Sequence, residues 1–491
     1  MHRPTALATT ARGEIATLGR PRLRDRFQWS PIGVVWPGAQ LLPLGVTVAL
    51  SAAAGVAVGH PGAKTKLFLY VLIFLAGFVI LSPLPGWTFA GWLFFAPFLQ
   101  VGATGPALAH HISTGIYLAP SLMFIVWLVF GRRRNAVPSV DIFPAAFVLV
   151  AALSIFLESP VGISRFTLLN DLYRNVGIGV VGYYFCAVGP IDSARWTRLA
   201  GAFLASSIVV SGMAMVERAT AWTLWGDGGW HAGVFRVVGP FANPAVLGTF
   251  LGAATALATA ILLWNGSTGL RRLSLVTIAL ALPAVYLTHT RAPILAVALV
   301  VVVMVALCPR VRMVAAGGLI ITAVVLAAEW GSLSQTSFYQ HRVTDSASIN
   351  GRVLLTRWSL EVAAKHPLAG TGYGSFDTVK NASGLSSGDI PAADGLDVTS
   401  HNTFLTVLVE LGGMGLVLLI WPTLRIGLAS VRHALRDLAL RWILVGCLGV
   451  VVVYVINAAT IDMRFFSFVA TLPWIALGLL RRAAYPGDPG P

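Results

Sequence analysis

The chain has 491 residues, of which 56% are hydrophobic and only 11% charged, with a formal net charge of +15 and a mean hydropathy of +0.79. A soluble protein of that length needs far more charge to cover its surface, so a soluble globular fold is excluded. The positive balance invites a nucleic-acid reading, which the distribution of the charge then argues against.

Residues 1–38 form a basic segment. It is too long, and the first apolar run too late, for a cleaved signal peptide, so it is expected to be mature and cytoplasmic. Apolar runs of roughly 16 to 22 residues then recur. They predict spans near 39–59, 67–82, 86–103, 115–131, 140–157, 176–189, 199–217, 245–264, 273–289, 292–308, 313–328, 403–421, 441–460 and 465–480, fourteen in all, with both termini on one side. Lys and Arg divide 21 to 13 between alternate loops, as in Arg132-Arg133-Arg134, Arg271-Arg272, Arg310, Arg312 and Arg481-Arg482 on the richer side. That is the positive-inside pattern, so the excess charge is a topology signal and no nucleic-acid partner is expected. The expected fold is an all-α, polytopic transmembrane helical bundle of about 12–14 spans, with one long extracytoplasmic loop containing short helices. Its segments are 1–38, a transmembrane part 39–328, the loop 329–401, C-terminal spans within 402–480, and a cytoplasmic tail 481–491.

In chain order, the outer loop 218–244 carries Trp222, Trp225 and Trp230, which suit a bilayer interface. The loop 329–401 is too long to be structureless. A helix is predicted over Asn350–Lys365, stopped by Pro367, with an apolar stripe Leu354, Trp358, Val362 lying along the membrane surface. Residues 381–397, rich in Gly, Ser and Asp, are predicted to form a lid-like tip. Gly370-Thr371-Gly372-Tyr373-Gly374 looks like a phosphate-cradling turn but lacks the flanking strand and helix, so a tight turn is the better reading. Cys186, Cys308 and Cys447 lie within predicted spans and read as small buried hydrophobes. His110-His111 has no third ligand nearby, and no metal or cofactor is expected. Asn381-Ala382-Ser383 is a glycosylation sequon by pattern only.

Four stretches bring unusual polar groups to the outer ends of spans: RVVGPFANP at 236–244, YLTHTRAP at 286–293, NGR at 350–352 and SHN at 400–402. Three supply an arginine on the less basic side: Arg236, Arg291 and Arg352. Arg291 stands between two apolar runs joined by almost no loop, where a charge is costly unless it meets a wet cavity or an anion. A guanidinium fork suits bidentate grip on phosphate, and several converging would hold a diphosphate without metal. Each arginine taken singly also fits snorkelling to headgroups. Arg357 and Asn402 are counted with them as substrate-binding candidates. His401 is the candidate base, because a neutral imidazole takes a proton near neutral pH; capping or packing is the plainer alternative. Glu410, a little over two turns further on, is expected to hydrogen-bond a neighbouring helix or to gate a cavity.

Together these motifs resemble the O-antigen ligase and O-antigen polymerase superfamily of bacterial envelope glycosyltransferases. The resemblance rests on His401-Asn402-Thr403-Phe404-Leu405 followed by Glu410-Leu411-Gly412-Gly413-Met414-Gly415-Leu416. It rests also on Gly351-Arg352 with His366-Pro367-Leu368-Ala369-Gly370-Thr371-Gly372, on Thr290-Arg291-Ala292, and on Arg236 with Gly239, Phe241, Asn243 and Pro244. It covers about residues 230 to 420. Relatives often carry a tryptophan four residues after the arginine, where this chain has Thr356, with Trp358 close by, and about twelve spans rather than fourteen. The resemblance implies transfer of a glycan from a polyprenyl-diphosphate carrier to a glycan, glycolipid or cell-wall acceptor at the outer face of the bacterial cytoplasmic membrane. Arg236, Arg291 and Arg352 would bind the diphosphate, and His401 would deprotonate the attacking hydroxyl, without a metal. Ligase, polymerase and protein glycosyltransferase remain alternatives. Two other readings stand beside it. One is a transporter or flippase of a lipid-linked glycan or small anion. The other is a peptidoglycan-type polymerase that relies on an outer-loop aspartate: Asp345, Asp377, Asp389, Asp394 or Asp397.

Overall fold

A computed structural model describes residues 85–99, 141–157, 163–189, 193–223, 229–231, 234–241, 243–264, 267–309, 346–383 and 400–485, with isolated residues at 120–125 and 311–335. The predicted spans 39–59 and 67–82, most of 115–131 and 313–328, the N-terminal segment, residues 384–397 of the predicted lid-like tip, and Trp225, His110, His111, Asp345, Asp389, Asp394 and Asp397 lie outside the described residues.

The described residues form an all-α bundle. In chain order its helices are α1 (Pro85–Phe95), α2 (Phe143–Leu157), α3 (Arg165–Leu172), α4 (Ile178–Val188), α5 (Ser193–Thr220), α6 (Pro244–Trp264), α7 (Thr268–Leu287) and α8 (Arg291–Ala306). They continue with α9 (Ser346–Lys365), α10 (Phe376–Ala382), α11 (Thr403–Arg436), α12 (Arg441–Ala458) and α13 (Ser467–Ala484). A π turn, Tyr173–Gly177, joins α3 to α4. Among the described residues, five helices are long and apolar enough to cross a membrane: α5, α6, α7, α11 and α12. A small hairpin, β1 (Gly229–His231) with β2 (Val234–Arg236), follows α5 and sets Gly229 opposite Arg236.

The helix α6 is the axis of the bundle, with every residue from Ala245 to Ile261 buried. Its start is set by Pro244, whose missing N–H costs nothing there, and by Asn243, whose side-chain oxygen accepts from the Ala245 amide at 2.8 Å. Small residues let α12 lie close against it: a side chain on Gly446 would meet Leu257 and Ala260, and one on Gly449 would meet Ala256 and Met304. The three cysteines are free and buried, as their apolar surroundings predict.

The helix predicted over 350–365 exists as α9 and begins four residues earlier, at Ser346. Its apolar stripe needs correction. Leu354 is exposed; the buried face is Leu355, Trp358, Ser359, Val362 and Ala363. That face packs on protein, because Trp358 and Val362 form a core cluster with Phe376 of α10 and Val409 of α11. The Trp358 ring meets Phe376 edge-on at 5.2 Å between centroids.

Candidate active site

The site is built around a break in α11. Gly412 sits at φ 65°, ψ −166°, so residues 403–411 form a short helix set off from the long remainder. A break inside an apolar helix strands backbone groups that must find partners. The Pro367–Gly372 turn supplies four of them. Thr371 N–H donates to the Val409 carbonyl at 2.9 Å and Gly372 N–H to the Glu410 carbonyl at 2.8 Å. Across the break, Gly413 N–H donates to the Pro367 carbonyl at 2.8 Å and Met414 N–H to the Leu368 carbonyl at 3.2 Å. The turn predicted for Gly370–Gly374 is therefore present, and its amides at 371 and 372 are spent on α11.

His401 stands at the mouth of this short helix with φ 51°, an uncommon conformation for a residue with a side chain. Asn402 is the N-cap: its side-chain oxygen accepts from the Phe404 and Leu405 amides at 2.9 and 3.2 Å. Ser400 is buried, and its hydroxyl donates to the Asn402 carbonyl at 2.6 Å. The capping work that a histidine here could do is thus done by Asn402.

Glu410 is buried in the same short helix, and its partner is Arg464. Arg464 Nη1 donates to Glu410 Oε2 at 2.9 Å, while Nε and Nη2 grip both oxygens of Asp462 at 3.1 and 2.9 Å. All three side chains are almost wholly buried. Burial alone would lower the pKa of the Arg464 guanidinium, but the carboxylates of Asp462 and Glu410 outweigh it and hold the pKa well above its ordinary value. The guanidinium also lies 5.7 Å from the Tyr373 ring, whose phenol burial pushes upward in pKa. Beyond them, Ser467 meets Asn175 of the π turn at 3.3 Å.

A second group of residues gathers where α7 meets α8. Arg236 is buried at the end of β2; its Nε donates to the Thr288 carbonyl at 3.2 Å and its Nη2 to Thr290 Oγ1 at 2.9 Å. The fork so clasps the residues on either side of His289, whose φ is 47°. Thr290 is the N-cap residue of α8, and Arg291, half-buried, is its first residue. The loop carrying Arg236 is fixed in turn by Glu217, whose buried carboxylate accepts from Val238 N–H at 3.1 Å and Gly239 N–H at 2.7 Å.

Arg352 and Arg357 lie on the exposed face of α9 and line a shallow hollow of about 670 Å³ with Val353, Thr356, Leu360, Glu361 and Ala364. Nearby, Asp377 on α10 is 3.7 Å from Lys380. Burial lifts its carboxyl to about 6; Lys380 opposes the shift, and Glu410 and Asp462 add to it.

The structure thus joins Arg236 to the Thr288–Thr290 turn, ties residues 409–414 of α11 to the 367–372 turn, and ties Thr403 and Glu410 to residues 461–464. Arg352 and Arg357 share one hollow on the helix that packs against α11. Arg464, Asp462 and Glu217 escape the sequence pattern, and Thr403 enters it as part of a motif without a role of its own. The available signal is a charged pair, Asp462-Met463-Arg464, inside the short connection between two apolar helices, where an unpaired charge would be expensive. Among the described residues, no group of three or more His, Cys, Asp and Glu could hold a metal ion.

Residues 276–420 match the family model described as O-Antigen ligase. The matched stretch contains Arg291, Arg352, Arg357, His401, Asn402 and Glu410; Arg236 precedes it. The match supports the resemblance to the O-antigen ligase and polymerase superfamily, and with it a membrane enzyme of that type. No curated protein matches the chain.

Proposed function

We propose that the protein transfers a glycan from a polyprenyl-diphosphate carrier to an acceptor hydroxyl at the outer face of the bacterial cytoplasmic membrane. The observation that carries this reading is the backbone of His401. It is held at φ 51°, inside a turn closed by the Ser400 hydroxyl on Asn402, beside a helix start that Asn402 already caps. A strained histidine at the mouth of a packed, broken helix is what a positioned base looks like. His401 takes the proton of the attacking hydroxyl as the oxygen–carbon bond to the sugar forms. The bond from that carbon to the carrier's phosphate oxygen breaks, and the electron pair leaves on the diphosphate.

Arg291, Arg352 and Arg236 hold that diphosphate and stabilise the charge that develops on it as it leaves. Arg357 extends the cationic hollow of α9 toward the donor, and Asn402 orients the helix start beside the acceptor. For Arg236 the reading includes a second duty, since two of its nitrogens already hold the 288–290 turn. Arginines in these roles make a bound metal unnecessary.

The test is complementation of a deletion strain with wild type, His401→Ala, Arg291→Lys or Arg352→Lys, read as gel profiles of surface glycan and of polyprenyl-linked intermediates. Variants that insert normally yet fail to restore the profile support transfer chemistry. Single repeat units would then mark a polymerase, and accumulated lipid-linked polymer a ligase. A normal profile from His401→Ala would sink the mechanism and favour the transport reading.

A further inference from the structure

The short helix that starts at Thr403 is held at both ends by one turn of the chain. At its first residue, Thr403 Oγ1 donates to the Ile461 carbonyl at 3.2 Å and accepts from Met463 N–H at 2.9 Å. At its far end, Glu410 receives Arg464 at 2.9 Å. Thr403 and Glu410 are seven residues apart, so they share one helix face and lie about 10 Å apart along it. The turn is stiffened from within: Asp462 accepts from the Arg464 amide at 3.2 Å as well as from Nε and Nη2 of its guanidinium.

We propose that the turn Ile461–Arg464 is a splint that sets His401, with Thr403 and Arg464 as positioning residues for the transfer reaction; the proposal rests on the reading of His401 given above. The break at Gly412 is the reason a splint is needed. Helical continuity would ordinarily fix the orientation of residues 403–411, and that continuity ends at Gly412. The seam with residues 367–372 grips carbonyls at the C-terminal end and Val409 packs on Trp358 and Phe376, while the 461–464 turn hydrogen-bonds the side chain of the residue two beyond His401. A buried ion pair is a costly way to stabilise a membrane protein, but it does specify geometry. Three oriented hydrogen bonds, two at the Thr403 hydroxyl and one from the Arg464 guanidinium, tie the short helix to this turn.

The test is turnover of purified protein in lipid nanodiscs with a lipid-linked glycan donor, comparing Thr403→Val, Thr403→Ser, His401→Ala and the double variant Thr403→Val/His401→Ala. Thr403→Val keeps the volume and removes the hydroxyl. A misplacement of about 1 Å costs on the order of 100-fold in rate, so kcat should fall about 10- to 100-fold. Donor KM should stay nearly unchanged, since only transition-state geometry is touched. Thr403→Ser should restore most of the rate. In the His401→Ala background, Thr403→Val should cost nothing further, because its effect runs through that histidine. Arg464→Lys keeps the charge and gives up the fork. It should show the same kcat loss and the same non-additivity, and it decides the matter if Thr403→Val does not insert. An equal fractional loss in both backgrounds, or wild-type kcat in Thr403→Val, would overturn the splint. Full turnover by His401→Ala is a different pattern, and it would remove the base reading and the splint together.

Discussion

Gly412 and Leu368 meet where α11 breaks, and no side chain fits between them. A Cβ on Gly412 would stand 2.3 Å from the Leu368 carbonyl oxygen, and its φ of 65° is one that a residue with a side chain resists. Gly370, at φ 72°, is its counterpart on the turn: a Cβ there would lie 2.4 Å from the Glu410 carbonyl carbon. The two glycines let a turn and a broken helix exchange backbone hydrogen bonds at contact distance.

Gly412→Ala and Gly370→Ala should therefore each destabilise the protein by about 2–4 kcal/mol, combining a strained φ with a backbone clash. Gly413→Ala is the control, since its Cβ would lie 3.1 Å from the Pro367 carbonyl oxygen and only a small shift is needed. Thermal unfolding in detergent checks this: equal losses for all three variants would contradict the seam.

Removing Arg464 should cost more than removing Glu410. Arg464→Ala strands two buried carboxylates, whereas Glu410→Ala leaves the guanidinium with both oxygens of Asp462. Breaking a buried pair typically costs about 3–5 kcal/mol, and that range is expected for Arg464→Ala. The double variant should lose less than the sum of the singles, because the two residues act as one group. Denaturant titration of all three proteins measures the coupling.

Glu217→Gln should loosen the loop that carries Arg236. Oε2 accepts from both the Val238 and Gly239 amides and Oε1 from Val238 as well, so the amide side chain sets an NH2 donor against the Val238 N–H or takes the acceptor away from Gly239. A loss of about 1–3 kcal/mol is expected, as for a buried donor left unmet. Hydrogen exchange at Val238 and Gly239 should rise in the variant; unchanged protection would show that the carboxylate is dispensable.

Asp377 gives a pH signature. Its carboxyl is lifted to about 6, chiefly by burial, so the folded protein binds a proton more tightly there than the unfolded chain does. The sign follows: the folded state gains stability from this proton at low pH, and loses it as pH rises from near 4 through about 6. Asp377→Asn cannot ionise and should flatten that part of the profile, gaining on wild type above pH 6. Melting temperatures of both proteins across that window decide the point. A parallel pair of curves would mean that Asp377 titrates normally.

Much of this protein is written in its hydropathy. Apolar runs near 245–264, 273–289, 292–308 and 441–460 became α6, α7, α8 and α12 within a few residues, because a helix in lipid must satisfy its own backbone and needs only length and apolarity. The polar outliers at span ends were legible for the same reason: a charge in an apolar run has to have a purpose. Arg236, Arg291, Arg352 and His401 could be picked out one by one on that ground. What they touch could not. Leu354 and Leu355 are chemically alike, and only the way α9 packs against α11 buries the second and leaves the first exposed. Nothing local tells that Arg464 reaches back 54 residues to Glu410, or that the turn after Pro367 closes the gap at Gly412. Those are pairings between backbone or buried charges far apart in the chain. Each partner is an ordinary glycine, carbonyl or carboxylate until the fold brings the other beside it.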